Sequence, residues 1–191
     1  MDLLNLFIAA LLVNNIVLMR FLALCSYVGM TTEPGPALGM GWAVTFVMVL
    51  AGVVTWFLNV FILQPLELTF LSTLIFILVI ASLVQLVEIY LRKSIPSLYH
   101  VMGIYLPLIT TNCAILALTF INQREGYTLI ESIVNSVGVA WGYTLAMLLL
   151  ANLRLRIKHS NVPKFLEGYP IVFIVTAILS VAFMGFVGMA K

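Results

Sequence analysis

The sequence predicts an all-α integral membrane protein with six transmembrane helices, and two observations support that fold class. Hydrophobic residues make up 63% of the 191 positions, and apolar runs of about 20 residues, long enough to span a bilayer, recur from end to end. Charged residues make up 8%, whereas a soluble domain carries about a quarter. We therefore expect one transmembrane domain covering residues 1–191, with no room for a soluble domain.

The apolar runs are separated by short segments rich in proline, glycine or charge, which are typical of turns. The first run has no positive segment before it and no small-residue cleavage site after it, so we expect a retained span rather than a signal peptide. No basic patch suggests binding to nucleic acid. The six predicted spans are residues 3–19, 38–63, 68–91, 98–121, 129–153 and 169–190.

The distribution of lysine and arginine predicts the orientation. Six spans place both termini on one side, and the loops after spans 3 and 5 lie on the other. Six basic residues lie in those two loops: Arg92, Lys93, Arg154, Arg156, Lys158 and Lys164. The side of the termini has two, Arg124 and Lys191. Because basic loops stay in the cytoplasm, both termini are expected to be extracytoplasmic.

The middle of the fourth span is too polar for an uninterrupted helix. Pro107 removes a backbone donor and clashes with the preceding turn. Thr110, Thr111 and Asn112 follow, and such side chains can satisfy the backbone groups that a break sets free. Cys113 is adjacent to this predicted break. It is either a small packing residue or a metal ligand, and the segment alone leaves both interpretations open.

The first span also carries polar residues in its interior. Asn14 and Asn15 lie near its middle, and Arg20 precedes a second apolar piece that contains Cys25. Such side chains are costly in lipid, so we expect them to face protein or a cavity. Hydrogen bonding between helices by the asparagines, with Arg20 reaching the interface, and a role in a site both remain open.

The two halves of the chain, about 1–97 and 98–191, match weakly at a shift near 98 residues. Asn14 falls on Asn112, and a second group of matches lies in spans 2 and 5. That group pairs Gly39, Trp42, Thr45 and Met48 with Gly138, Trp141, Thr144 and Met147. Because each half holds an odd number of spans, the repeats are expected to be inverted, an arrangement that builds sites near the middle of the membrane.

Depth links the two cysteines to the predicted breaks. At 1.5 Å per residue, a straight first helix would put Cys25 ~33 Å from the outer face, and a straight fourth helix would put Cys113 ~22 Å from the inner face. If helices 1 and 4 are each broken near mid-membrane, both thiols can approach one another. A disulfide between Cys25 and Cys113 is possible in principle, but nothing in the sequence favours it. His100 lies ~20 Å along a helix from Cys113, so a joint zinc site is not expected.

Several segments together resemble a known family. They are residues 12–15 (LVNN), 21–25 (FLALC), 79–85 (VIASLVQ), 106–114 (LPLITTNCA) and 182–186 (AFMGF). These segments resemble the A subunits of the Rnf-type ion-translocating electron transport complexes. The E subunit of that complex and the D and E subunits of the sodium-translocating NADH:quinone reductase belong to the same superfamily. Ala23 stands where that family is expected to have glycine, and Ser26 where relatives often have proline.

The resemblance implies a membrane subunit of a ferredoxin:NAD oxidoreductase complex, embedded in the bacterial inner membrane, that couples electron transfer to Na⁺ or H⁺ transport. It implies that the A and E subunits pair as inverted partners and share one [2Fe–2S] cluster, with Cys25 and Cys113 supplying two of four ligands. Thr110, Thr111 and Asn112 would hydrogen-bond sulfur or support the broken backbone. Flavins and the ferredoxin and NAD sites belong to other subunits, so this chain holds no complete active site.

Two alternatives remain open. The chain could be the E subunit of that complex, or belong to the NADH:quinone reductase, rather than be the A subunit. It could also be a small inverted-repeat secondary transporter without a redox centre, which explains six spans and broken helices equally well. That transporter does not explain why both cysteines lie beside the breaks.

Overall fold

The computed structural model describes residues 3–63, 72–94, 109, 111–159, 163 and 165–186. Within these ranges the chain forms helices and turns and no strand, so the predicted all-α class is confirmed. Two π-helical segments, Ala9–Val13 and Asn59–Leu63, extend α1 and α4. The helices are α1 (Leu3–Ile8), α2 (Ile16–Arg20), α3 (Leu24–Met30), α4 (Pro34–Leu58), α5 (Ser72–Ser94), α6 (Cys113–Arg124), α7 (Leu129–Lys158) and α8 (Tyr169–Met184).

The helices α4 and α7 form the centre of the described structure. The segments Pro34–Phe61 and Leu129–Lys158, of 28 and 30 residues, are each long and apolar enough to cross a membrane. The two helices approach closely at Gly41, where a Cβ atom would lie only 2.5 Å from the Thr144 side chain. Small residues permit this approach between helices in lipid.

Helix boundaries differ from the predicted spans where capping chemistry decides them. The helix α4 begins at Pro34 rather than near residue 38, because proline at the first helical position loses no hydrogen bond. The helix α7 continues to Lys158, with Arg156 and Lys158 in its last turn, where positive charge suits the helix dipole. The basic residues after the fifth predicted span therefore begin on a helix rather than in a loop.

The first span is not one helix. The π-helical turn ends at Val13, and α2 starts only after Asn15. A second interruption separates α2 from α3, where Phe21 and Ala23 both adopt left-handed backbone conformations. The predicted break between residues 14 and 25 is thus present, and it divides this span into three short helices.

The predicted break in the fourth span falls partly outside the described residues. Pro107, Thr110 and His100 lie outside them. Thr111 is an exposed turn residue, and α6 begins immediately afterwards at Cys113 with Asn112 as its N-cap.

Positions paired by the predicted repeat have matching surroundings. Trp42 and Trp141 are both mostly exposed, at 63% and 51%, and both line one apolar cleft of ≈ 330 Å³. Thr45 and Thr144 each donate a hydrogen bond to the carbonyl oxygen four residues earlier, at 2.7 and 2.9 Å. Met48 and Met147, which the repeat also pairs, are both fully buried.

Candidate cysteine site

The turn between α2 and α3 brings the backbone of the first span to Cys113. Phe21 has φ 52° and Ala23 has φ 62°, a region that costs a residue with a Cβ roughly 1–2 kcal/mol. Hydrogen bonds hold the turn: Leu22 N–H donates to the Ile16 carbonyl at 3.2 Å, and Tyr27 N–H donates to the Ala23 carbonyl at 2.9 Å. The strained turn is therefore fixed rather than loose.

Both cysteines lie in the first turn of a helix. Cys25 is the second residue of α3 and Cys113 the first residue of α6. The Ala23 N–H donates to Cys113 Sγ at 2.8 Å, which joins the break in the first span to the start of α6. Both thiols are free; Cys25 is exposed and Cys113 is partly buried. Cys113 thus lies at the N-terminus of α6, the end of a helix that binds anionic groups.

Two buried asparagines cap the helices that start at this site. The Asn15 side-chain oxygen accepts hydrogen bonds from the backbone N–H groups of Val17 and Leu18, at 3.1 and 3.3 Å. The Asn112 side-chain oxygen accepts one from Ala114 N–H at 3.0 Å. Such caps satisfy donors that a helix start leaves unpaired. In the structure, Asn112 and Asn15 therefore have the same capping role. The predicted register pairs Asn112 with Asn14, one residue earlier.

The adjacent asparagines of the first span have different surroundings. Asn15 is buried, and its side-chain amide also donates to the Gly142 carbonyl of α7 at 2.8 Å. Asn14 is exposed, and its backbone N–H ends the π-helical turn by bonding to the Ala9 carbonyl at 2.7 Å. Asn15 is thus the member of the pair that fastens the broken span to α7.

The Asn112 side-chain nitrogen is buried, makes no hydrogen bond of good geometry in the described part of the chain, and lies beside the Tyr143 hydroxyl. It carries two N–H donors, so at least one of them is left for another acceptor. A buried donor without an acceptor costs about 1–3 kcal/mol, so this group next to Cys113 is suited to an additional acceptor. The two thiols can bind a metal through sulfur, and the Ala23 N–H and this amide can donate hydrogen bonds. Together these groups fit an anionic group that contains sulfur.

Two further residues at this site had not been predicted to take part in it. The Tyr143 hydroxyl on α7 donates to Ser26 Oγ at 2.9 Å, and Ser26 Oγ donates to the Ala23 carbonyl at 3.0 Å. The Tyr143 hydroxyl also lies near the Asn112 side chain and both cysteine thiols. Ser26 had stood out only as a departure from the family pattern. No local sequence signal could reveal Tyr143, which lies 117 residues from its partner.

Side chains of α7 and α8 also satisfy carbonyl groups at the ends of the short helices. The Arg154 guanidinium donates to the Val28 carbonyl at 2.9 Å and to Thr31 Oγ1 at 3.1 Å. Ser180 Oγ donates to the Leu18 carbonyl at 2.7 Å. Arg154, predicted only as a basic loop residue, thus holds the C-terminal end of the helix that carries Cys25.

A second polar region lies where α4, α6 and α7 meet. A cavity of ≈ 250 Å³ is lined in part by Thr55, Thr119 and Asn122. Asn122 donates to Ser132 Oγ at 2.9 Å and accepts from the Asn135 amide at 2.7 Å. This network is uncharged, contains no cysteine and is satisfied internally.

The loop at that cavity carries one perturbed phenol. Burial, together with the nearby carboxylates of Glu125 and Glu131, raises the pKa of Tyr127 above its ordinary value. Tyr127 also accepts a hydrogen bond at its backbone carbonyl from Trp56 Nε1 at 3.0 Å. The phenol therefore stays neutral at physiological pH.

Within the described ranges, no group of three or more His, Cys, Asp or Glu side chains could hold a metal ion. The cysteine site of this chain alone therefore offers at most two thiolate ligands. A metal centre here would need further ligands from elsewhere.

The fold and the site define a class of protein. It is a helical membrane protein with few charged residues, and its first span is broken beside two free thiols. Residues 3–190 match the family described as "Rnf-Nqr subunit, membrane protein". The chain belongs to this Rnf-Nqr family.

Curated relatives agree over nearly the full length. The chain is 51% identical, over 99% of its length and 98% of the relative's, to the A subunit of the Na(+)-translocating ferredoxin:NAD(+) oxidoreductase complex of Acetobacterium woodii. It is 51% identical, over 98% of its length and 97% of the relative's, to the A subunit of the ion-translocating oxidoreductase complex of Syntrophotalea carbinolica. A Proteus mirabilis protein of the same description is 46% identical, over 100% of this chain and 98% of its own. The resemblance to the A subunits of Rnf-type complexes is confirmed.

Proposed function

We propose that this chain is the A subunit of an ion-translocating ferredoxin:NAD oxidoreductase complex and carries electrons through a [2Fe–2S] cluster shared with a homologous partner subunit. The observation that carries the proposal is the hydrogen bond from Ala23 N–H to Cys113 Sγ at 2.8 Å. It ties the segment that leads into Cys25 to the other cysteine of the chain. Names of relatives over nearly the full length support the role in the complex.

The ligand set supports a shared cluster rather than one held by this chain alone. A [2Fe–2S] cluster of this kind needs four thiolates, and the cluster supplies a one-electron carrier. This chain has two cysteines, and the exposed Cys25 is accessible to a second protein. Ala23 N–H and the Asn112 amide are donors that suit sulfur atoms carrying negative charge. The E-like partner subunit would supply the remaining two thiolates.

The proposed architecture has six spans in two inverted repeats, with both termini outside the cytoplasm. The matching surroundings of Trp42 and Trp141 and of Met48 and Met147 support the repeat. The basic residues at the C-terminal end of α7 support a cytoplasmic position for that helix end and for the segment that follows it. They are Arg154, Arg156 and Lys158. A C-terminal alkaline phosphatase fusion should be active in cells, and a C-terminal cytoplasmic reporter should be silent. The opposite pattern would refute the orientation.

The cysteines provide the direct test of the function. The chain would be co-purified with its partner subunit and assayed for iron, acid-labile sulfide and a reduced-state EPR signal. Cys25→Ser and Cys113→Ser should each remove the signal, since a serine hydroxyl is a hard and much less acidic ligand than thiolate sulfur. Membrane insertion should not change, because one such substitution barely alters the insertion of a ~20-residue apolar span.

His100→Ala is the matched control and should keep both cluster and activity. Electron flow from ferredoxin to NAD should stop in the two cysteine variants while the flavin-bearing subunits remain assembled. Full iron content and activity in Cys113→Ser would refute the ligand assignment. Wild-type complex without iron would instead favour the inverted-repeat transporter without a redox centre.

A further inference from the structure

Three hydrogen bonds, two buried and one partly buried, form a relay from α7 through Ser26 and Ala23 to the sulfur of Cys113. We propose that Tyr143 is a positioning residue that acts through Ser26 and Ala23 on this sulfur and thereby sets the reduction potential of the proposed cluster. The inference rests on the proposed function. It assigns to α7, which carries no cysteine, control over the electron carrier.

In each of the three hydrogen bonds, the donor lies on the Tyr143 side and the acceptor on the Cys113 side. Tyr143 Oη donates to Ser26 Oγ at 2.9 Å, Ser26 Oγ donates to the Ala23 carbonyl at 3.0 Å, and Ala23 N–H donates to Cys113 Sγ at 2.8 Å. Tyr143, Ser26 and Ala23 are each 0% exposed. Because Tyr143 and Ser26 are fully buried, water cannot replace a hydroxyl that is lost from either of them.

Ser26 is placed to fix the conformation on which the last bond depends. Ala23 adopts φ 62°, which an alanine leaves readily unless its surroundings hold it. Ser26 holds the Ala23 carbonyl, while the N–H of the same residue meets the Cys113 sulfur. Tyr143 in turn occupies the Ser26 oxygen as an acceptor, so the Ser26 proton stays directed at Ala23.

Removal of the Tyr143 hydroxyl should therefore weaken the bond at sulfur. Without the Tyr143 hydroxyl, the buried Ser26 oxygen has no hydrogen-bond donor, so the Ser26 side chain is stabilised by turning toward another one. Its bond to the Ala23 carbonyl is then weakened, and Ala23 is held less firmly. Reduction adds negative charge to the sulfur ligands, and N–H donors stabilise that charge, so hydrogen bonds to sulfur raise the potential. A weaker bond should lower it.

The experiment is an EPR-monitored redox titration of the intact purified complex. Tyr143→Phe should reduce the equilibrium constant for reduction three- to tenfold, or roughly 30–60 mV at 59 mV per tenfold for one electron. Ser26→Ala should shift the potential in the same direction. The shift in the double variant should equal that of the single variants within experimental error. After exchange into D₂O, the strongest deuterium coupling to the cluster should weaken in both single variants.

Tyr27→Phe is the matched control. Tyr27 is also a fully buried tyrosine, but its hydroxyl lies beside Thr176 of α8 and is not part of the relay. The potential of this variant should equal that of the wild type.

The outcomes separate the relay from the proposed function. An unchanged potential in both Tyr143→Phe and Ser26→Ala overturns the relay, as does an equal shift in Tyr27→Phe, which would mean a general packing effect. If Tyr143→Phe fails to assemble, Ser26→Ala decides the question by the same titration. A wild-type complex without a cluster overturns the proposed function itself.

Discussion

Replacement of Asn15 by alanine should destabilise the protein more than a single hydrogen bond would suggest, because one side chain makes three. Its oxygen accepts from Val17 N–H at 3.1 Å and Leu18 N–H at 3.3 Å, and its nitrogen donates to the Gly142 carbonyl at 2.8 Å. Asn15 is 1% exposed, so water cannot replace these bonds. The side chain thus both starts α2 and fastens the broken span to α7.

The size of the effect follows from two terms. Loss of an N-cap to alanine costs about 1 kcal/mol, within a range of 0.5–2. Loss of the bond to α7 costs about 0.5–1.5 kcal/mol, with more where a buried donor is left unpaired. Together these terms predict a loss of about 2–3 kcal/mol. At roughly 2–4 °C per kcal/mol for a chain of this size, the midpoint should fall by about 4–12 °C.

Thermal unfolding in detergent, followed by circular dichroism, measures that shift. Asn14→Ala is the matched control, since Asn14 is adjacent in sequence and exposed. It should unfold within about 0.5 kcal/mol of the wild type, as surface substitutions usually do. Equal midpoints for the two variants, or a larger loss in Asn14→Ala, would refute the assignment of the buried anchor to Asn15.

Two further predictions concern backbone geometry and use the same assay. Ala23→Gly should stabilise the protein by about 0.5–1 kcal/mol, because glycine adopts the left-handed conformation of Ala23 without its steric cost; a lower midpoint would contradict a φ of 62° there. Gly142→Ala should cost about 1–3 kcal/mol, since its Cβ would lie 2.7 Å from the Leu11 backbone carbonyl. Gly29→Ala, whose Cβ meets nothing within 4 Å, should be neutral or slightly stabilising, and an equal loss in both would rule out the clash.

The break in the first span could be predicted from sequence because its cause is local. An asparagine in an apolar run both costs energy in lipid and caps a helix, so the pair at residues 14–15 indicated an interruption. The choice between the two asparagines could not be made, because it depends on α7. Asn15 is buried and bonds to the Gly142 carbonyl of α7, whereas its neighbour Asn14 is exposed.

The second interruption had no comparable signal. Phe21 and Ala23 both occupy the left-handed region, which neither residue type favours. Only the resemblance, through the glycine expected where Ala23 stands, pointed to a special conformation there. The relay through Tyr143 was likewise beyond sequence reasoning, since it joins residues that are distant along the chain. Helix capping is encoded locally, whereas the contacts that hold a strained turn are tertiary.

The two thiols differ in exposure, so oxidants reach them unequally before the chain meets its partners. Cys113 is partly buried and already holds a backbone N–H, whereas Cys25 is exposed. Oxidation to sulfenic acid and beyond requires a sulfur that an oxidant can reach as well as thiolate character, and Cys25 is the more exposed of the two thiols. A chain made in excess of its partners therefore meets oxidants first at Cys25. Under the proposed function, oxidation of that one sulfur would prevent assembly of the shared cluster, so rapid pairing with the partner subunit would protect this ligand.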